Sequence, residues 1–261
     1  MTLVLALAAS PLGAQPVVPE LGAYTVLASG NVGIRRGARV PSGAVGAITG
    51  TARLGGDVRI SGRLAAPSVQ LAPGTRTGTL FCHVVSGPPP LPLCMPFTDP
   101  LVDPALLQPV AVIPGSADLV VRAATGTAPV PPGSFRDVRV GRGALLQLAG
   151  GTYTARSLRI GTQGRVVCVD ACVIGVLDTV RLKPRATLGA AVATRADTVR
   201  VDVAAIGGAA FVTRPRANVS ATIFAPGTGV VLGPRGSYRG AFIGATVTVG
   251  SEATVRSDSA L

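Results

Sequence analysis

The stretch FRDVRVGRGALLQLAGGTYTARSLRIG, which runs from Phe135 to Gly161, contains one short phrase twice. Residues 137–140 and 157–160 both place an arginine between two apolar residues, and the two phrases begin 20 residues apart. An apolar–polar–apolar alternation has the period of a β-strand with one buried face. The stretch therefore predicts one short strand per repeat, with valine, leucine and isoleucine inward and arginine outward.

The phrase recurs along most of the chain, with related segments starting at residues 31, 57, 68, 179, 198 and 246. From Val138, the successive spacings to Leu158, Val180 and Val199 are 20, 22 and 19 residues. A repeat of this size indicates stacked structural units. No helical face recurs, and the leucine ladder of leucine-rich repeats is absent, so we predict an all-β parallel solenoid of roughly nine coils.

The composition agrees with short strands and tight turns. Apolar residues make up 48% of the chain, but they include only 6 Phe, 3 Tyr and no Trp, whereas Gly (34) and Pro (22) are abundant. Small inward side chains suit the narrow core of a solenoid, and the frequent glycines suit its corners. The net charge of +12 predicts a basic surface.

Two segments depart from the repeat. Residues 1–15 form an apolar run that ends in small residues, which is typical of a signal peptide, or of an apolar N-terminal anchor too short to span a bilayer. A buried first strand is the alternative. Residues 16–261 are expected to form a single solenoid domain. It is interrupted at 83–135 by a surface excursion that holds 12 of the 22 prolines, because proline cannot donate to a strand ladder. A linker between two domains is the other interpretation of this segment.

Four cysteines are consistent with an exported, disulfide-bonded protein. Sequence proximity favours Cys82–Cys94 and Cys168–Cys172, and two other pairings remain open. The second pair requires a turn at residues 169–171, because four residues of strand would separate the cysteines by about 13 Å. A zinc site would need further ligands that the sequence lacks, so we predict no metal and no cofactor.

Residues 221–233 (ATIFAPGTGVVLG) and 240–250 (GAFIGATVTVG) resemble the C-terminal coils of bacterial exported polymer-forming, bactofilin-like proteins. Residues 150–160 resemble their middle coils, and residues 24–32 resemble their opening coil. The resemblance covers most of residues 21–82 and 135–261. It implies a right-handed parallel β-helix in the cell envelope, and it implies no catalytic residues.

Arginines stand at the outward position of several phrases, and we expect Arg59, Arg139, Arg159, Arg181 and Arg200 to be equivalent. Asp57 and Asp137 precede two of them by two positions and could neutralise them. One interpretation is a solvated face with weak ion pairs. The other is a docking strip for an anionic surface, which could be a partner protein, lipid headgroups or a polyanionic glycan.

Support for catalysis is thin. His83 is the single histidine. Aspartates 137, 178, 197 and 202 could approach each other across coils, as in a β-helix enzyme on acidic polysaccharide. Asp178 and Asp197 can equally be turn residues. Nucleic acid is disfavoured, because aromatic residues are few and no binding motif occurs.

The sequence therefore predicts a non-catalytic exported structural or docking protein. We expect an accessory or scaffold subunit at the periplasmic or extracellular face of a bacterial envelope assembly. A self-polymerising surface scaffold or adhesin is the alternative, and an enzyme comes third.

Overall fold

The computed structural model describes residues 21–97, 101–122, 129–190 and 196–258. Their strands are parallel and stack as a β-solenoid of about 11 turns, with 52% strand and 4% helix. The predicted fold class is confirmed. The predicted signal peptide or anchor at residues 1–15 lies outside the described residues.

The number of coils exceeds the predicted nine because strands occur inside the proline-rich segment. Val84–Ser86 adds a strand at one end of the stack, and Leu119–Val121 adds one at the other. Both strands lie between the prolines, so the high proline content of residues 83–135 concealed them.

Within the described residues, the strands belong to two sheets. The larger sheet contains β1 (Tyr24–Ala28), β2 (Val32–Ile34), β4 (Ala44–Ala47), β5 (Thr51–Leu54), β7 (Leu64–Ala65), β8 (Ser68–Leu71), β10 (Leu80–Phe81), β11 (Val84–Ser86), β12 (Leu119–Val121), β13 (Gly133–Val140), β15 (Gly151–Ile160), β17 (Cys172–Leu182), β19 (Val199–Val203), β20 (Ala209–Thr213), β22 (Thr222–Leu232) and β24 (Phe242–Val249).

The smaller sheet contains β3 (Arg39–Val40), β6 (Arg59–Ile60), β9 (Arg76–Thr77), β14 (Leu145–Leu148), β16 (Arg165–Cys168), β18 (Thr187–Ala190), β21 (Asn218–Ser220), β23 (Ser237–Arg239) and β25 (Thr254–Arg256). Three short 3₁₀ helices occupy Leu21–Ala23, Pro104–Leu107 and Ala196–Thr198.

Each complete coil has three sides, because the larger sheet bends within a coil. The first coil shows the pattern: β1 lies on face 1, β2 on face 2 and β3, from the smaller sheet, on face 3. Longer strands such as β15 and β17 run through the bend and contribute to faces 1 and 2 together.

The coils do not stack in chain order. β1 pairs with β24 on one side and with β4 on the other, so the first coil lies against the last coil. The stack thus starts at β12, runs through β13 to β25, and continues with β1 to β11. Val32 accordingly aligns with Val247 in the core, and the inward row is continuous across this junction.

The segment between β11 and β12 must therefore return from one end of the solenoid to the other. We call its described residues, 87–97 and 101–118, the strap. Phe97, Leu101 and Val102 are buried against outward apolar side chains of face 1, among them Leu27 and Ile243. Farther along, the hydroxyl of Thr154 donates to the carbonyl of Ile113 at 2.8 Å. The strap thereby covers an apolar strip of face 1.

Both predicted disulfides are confirmed. Cys82 and Cys94 have Cα atoms 5.6 Å apart, and Cys168 and Cys172 have Cα atoms 6.1 Å apart across the predicted turn. The first bridge holds Met95 beside β10, where its N–H donates to the carbonyl of Leu80 at 2.9 Å. The strap therefore covers the edge of face 1 at this end of the stack.

Candidate functional site: a basic docking surface

Three of the five predicted arginines form a ladder on face 2. Arg139 aligns with Arg159, and Arg159 aligns with Arg181, on the neighbouring strands β13, β15 and β17. All three side chains are exposed, because the inward positions on either side are filled by apolar residues. Adjacent coils place the three Cα atoms about 4.8 Å apart.

The other two predicted arginines lie elsewhere. Arg59 is on face 3, where it aligns with Arg39 and Arg76 in a second row. Arg200 is on face 1, in register with Val173 and Thr222. The prediction that all five are equivalent is therefore wrong, because the same apolar–Arg–apolar phrase suits all three faces of the coil.

The first arginine of the ladder is neutralised by a buried carboxylate. Asp137 Oδ2 lies 3.0 Å from Arg139 and 2.9 Å from Arg156, and the hydroxyl of Ser157 donates to Oδ1 at 2.7 Å. The Ser157 hydrogen bond, followed by that of Arg156, lowers the pKa of Asp137 to about 2 against the cost of burial. Asp137 thus stays charged and is fully occupied in holding the two arginines.

The remaining ion pairs differ from the expected ones. Asp57 contacts Arg36 at 3.4 Å instead of Arg59, because Asp57 lies in the turn before face 3. Arg200, for which no partner within its phrase was expected, binds Asp202 at 2.7 Å and lies over the ring of Phe224. Arg159 and Arg181 form no ion pair with any residue that the structure describes.

The turn from face 2 to face 3 forms a regular ridge along the solenoid. Nine stacked turns each hold one residue with positive φ, and its N–H donates to the carbonyl one position earlier in the next turn. In stacking order these residues are Gly143, Gln163, Arg185, Arg216, Arg235, Glu252, Gly37, Asp57 and Gly74.

Three consecutive ridge positions are arginine. Arg185, Arg216 and Arg235 have φ values of 59°, 59° and 56°, in the left-handed region where a side chain costs about 1–2 kcal/mol and glycine costs little. Glycine occupies the same position in other turns of this ridge, such as Gly143. The arginines are therefore present despite a local energetic cost, which is typical of functional positions.

The ridge arginines flank the ladder and line a shallow groove. Arg185 follows Arg181 by four residues, so the two rows lie side by side. The groove has a volume of about 610 Å³ and is lined mainly by the stacked Pro-Arg turns. Arg235 pairs with Glu252 at 2.9 Å, whereas Arg185 and Arg216 form no ion pair with the described residues. We call these six arginines, 139, 159, 181, 185, 216 and 235, the basic surface.

The chemistry of the basic surface favours anionic oxygens. Guanidinium groups bind carboxylate, phosphate and sulfate through paired N–H donors. Like charges at the coil spacing repel each other by roughly 1 kcal/mol per pair in water, and an anionic partner would relieve that repulsion. The described residues contain no cluster of three or more His, Cys, Asp or Glu that could hold a metal ion.

The candidate catalytic residues have structural partners. Asp137 and Asp202 are buried and paired with arginines on different faces. Asp197 lies in the 3₁₀ helix Ala196–Thr198, where its N–H donates to Asp258, and Asp178 is exposed. The ring of His83 packs edge-on against Phe97 at 5.1 Å.

The sequence analysis missed the ridge arginines, although they leave a signal. Each follows a proline, in the dipeptides at residues 184–185, 215–216 and 234–235. Proline sets the φ of the residue before the corner, and the arginine then occupies the left-handed position. A search for repeated Pro-Arg pairs after an inward apolar residue would have found the row.

None of the helices in the described part of the chain is long and apolar enough to cross a membrane. No protein-family model, curated protein or solved structure matches this chain. Its function must therefore be inferred from the chemistry of the surface itself.

Proposed function

We propose that this chain is a non-catalytic docking protein of a bacterial cell envelope, an accessory or scaffold subunit that binds an acidic surface of an envelope assembly through its basic surface. The observation that carries the proposal is the row of Arg185, Arg216 and Arg235 at strained left-handed positions. Glycine would stabilise these turns more easily, so a requirement for charge explains the arginines better than a requirement of the fold.

The solenoid suits this role because it is a rigid template. Adjacent coils repeat at about 4.8 Å, and the ladder and the ridge hold guanidinium groups along two parallel lines. A partner with an extended acidic strip can contact several coils at once. Such multivalent contact strengthens binding and depends strongly on salt.

Export to the periplasmic or extracellular face remains part of the proposal. It rests on the apolar, small-residue-terminated segment at residues 1–15 and on the two disulfides, which persist in oxidising compartments.

Co-migration tests the proposal. Membranes from the producing cells are solubilised gently and separated on a density gradient, and the chain is located by mass spectrometry together with its mature N-terminus. We expect migration with one discrete complex. The triple variant Arg185→Gly, Arg216→Gly and Arg235→Gly should remain folded and leave that complex.

Gln163→Gly is the matched control, because Gln163 has the same left-handed geometry without charge. Co-migration of the triple variant with the complex, or equal loss in the control, would contradict the role of the basic surface. A free monomer in the wild-type gradient would contradict the docking function itself.

A self-polymerising scaffold is the second candidate, because strand edges remain at both ends of face 2. β11 pairs only with β8, and β12 pairs only with β13, so each presents an edge in the same row of the solenoid. Heavy, heterogeneous particles containing only this chain in the gradient would support this candidate.

A further inference from the structure

The end of the solenoid formed by β9, β10 and β11 exposes a group of apolar side chains. Leu93 is 86% exposed, Val84 59%, Leu91 46% and Met95 44%. Leu91, Leu93 and Met95 lie in the segment that the Cys82–Cys94 bridge ties back onto the terminal coil. Single exposed apolar residues are ordinary, but four on one small tip indicate a contact surface. We call these four residues the apolar tip.

The same end of the molecule is strongly basic. Residues 21–97 contain seven arginines and a single acidic residue, Asp57, which gives a net charge of +6. Asp57 is itself paired with Arg36. On face 3, the row of Arg39, Arg59 and Arg76 runs outward to β9, the terminal strand of its sheet. These three arginines are exposed, and the farthest is two coils, about 10 Å, from the end.

A fourth arginine lies close to the terminal coil on face 1. The guanidinium of Arg63 lies 5.3 Å from the ring centroid of Phe81, a residue of the terminal strand β10. The apolar tip is therefore surrounded by cations on two faces of the solenoid.

We propose that this end of the solenoid binds the surface of an anionic lipid bilayer. The apolar tip enters the boundary between headgroups and acyl chains, and the arginines of face 3 bind lipid phosphates. Apolar insertion and basic side chains are the two contributions that hold peripheral proteins on acidic membranes. The prolines on either side of Leu91 limit the conformational freedom lost when the tip is inserted.

Charge complementarity favours lipid over a second copy of the chain. An end-to-end dimer through this tip would bring two regions of +6 together, and the repulsion would oppose the burial of the apolar side chains. Anionic headgroups supply the opposite charge. The inference uses none of the six arginines of the basic surface, so it stands independently of the proposed function.

Vesicle flotation with the purified, disulfide-bonded full chain tests the proposal. We expect the chain to float with vesicles of phosphatidylcholine and phosphatidylglycerol, and to bind vesicles of phosphatidylcholine alone much more weakly. The variant Leu91→Ser/Leu93→Ser should bind the mixed vesicles about ten-fold or more weakly. Arg59→Gln/Arg76→Gln should lower the affinity by a similar factor at low salt and by less at high salt.

Ile206→Ser is the matched control. Ile206 is 85% exposed, but it lies in the corner between faces 1 and 2, between β19 and β20. It removes the same kind of apolar surface away from the tip, and its binding should equal that of the wild type. Circular dichroism of every variant establishes that the solenoid is folded.

Three results would overturn the inference. The first is undiminished binding by Leu91→Ser/Leu93→Ser, and the second is equal binding to both kinds of vesicle. The third is a wild-type dimer in light scattering that Leu91→Ser/Leu93→Ser converts to a monomer, without vesicle binding by either protein. That third result would assign the tip to a second copy of the chain.

Discussion

The hydroxyl oxygens of Ser42 and Ser257 lie 2.9 Å apart, although 215 positions separate the two serines in the chain. The N–H of Ser257 also donates to Ser42 Oγ, at 3.0 Å. This contact closes the junction at which the first coil stacks on the last. The strap is the price of that order, since the chain must return along face 1 to start the opposite end.

The junction can be tested with an engineered disulfide. Gly33 and Thr248 are aligned partners on β2 and β24, and a Cβ added at Gly33 would lie 3.9 Å from Thr248 Oγ1. Their coil spacing of about 4.8 Å lies within the range that a disulfide requires. We expect Gly33→Cys/Thr248→Cys to form an intramolecular bridge, detected as a cross-linked tryptic peptide by mass spectrometry.

Gly33→Cys/Val212→Cys is the control for this cross-link. Val212 lies in the same outward row but three coils from Gly33, roughly 14 Å away, and no bridge should form. Equal cross-linking in both variants would contradict the stacking order.

Replacement of Arg216 separates backbone strain from charge. Arg216→Gly removes the side chain from a residue with φ of 59°, so the free energy of unfolding should stay equal or rise. Arg216→Val loses the same charge but places a β-branched residue in the left-handed region, and should lower that free energy by about 1–2 kcal/mol. Urea denaturation measures both, and identical values for the two variants would argue against a strained turn.

Neutralising the middle of the ladder should relieve repulsion. Arg159 lies between Arg139 and Arg181 and forms no ion pair with the described residues, so Arg159→Gln should raise the free energy of unfolding by up to about 1 kcal/mol at low salt. The gain should vanish at high salt. Arg139→Gln should act in the opposite direction, because Asp137 would lose a partner. Denaturation curves at two salt concentrations would reveal a shared sign, which would contradict this account.

The buried carboxylate of Asp137 predicts a pH dependence. Its pKa is lowered in the folded state from 3.8 to about 2, so its contribution to stability is present above pH 4 and is lost as the pH falls towards 2. Asp137→Asn should lower the free energy of unfolding by about 1–3 kcal/mol at pH 7. The difference between variant and wild type should shrink between pH 4 and pH 2. A difference that stays constant over this range would exclude Asp137 as its source.

The Cys82–Cys94 bridge should stabilise the covered end of the stack. It closes a loop with a sequence separation of 12, which corresponds to about 3 kcal/mol in the chain-entropy model. Cys82→Ala/Cys94→Ala should free Met95 from β10, and limited proteolysis should then cut near residues 88–95. Mass spectrometry locates the cut. Unchanged protease resistance would show that packing of the strap alone holds this end.

Much of the fold could be read from local pattern. The alternation in residues 137–140 and 157–160 predicts inward and outward positions correctly, because burial on a parallel strand has a period of two. The spacings of 20 and 22 residues also brought Arg139, Arg159 and Arg181 into one ladder. The two disulfides followed from proximity in the sequence.

Arg59 and Arg200 show where local pattern fails. Their phrases match those of the ladder, but the phrase specifies only a strand with one buried side, and all three faces of the coil meet that condition. The face is decided by how many residues separate a phrase from the next corner, and corners such as the Pro-Arg turns were not recognised as a row.

The sequence by itself thus determined that this chain forms short parallel strands with small apolar residues inside and arginine outside, since each choice depends on neighbours two residues away. The order of the coils was decided only by the tertiary structure. Each coil presents a similar hydrogen-bonding edge, so Val32 could in principle align with many partners, and packing over the whole stack selects Val247. The row of Arg185, Arg216 and Arg235 exists only because that packing aligns three distant turns.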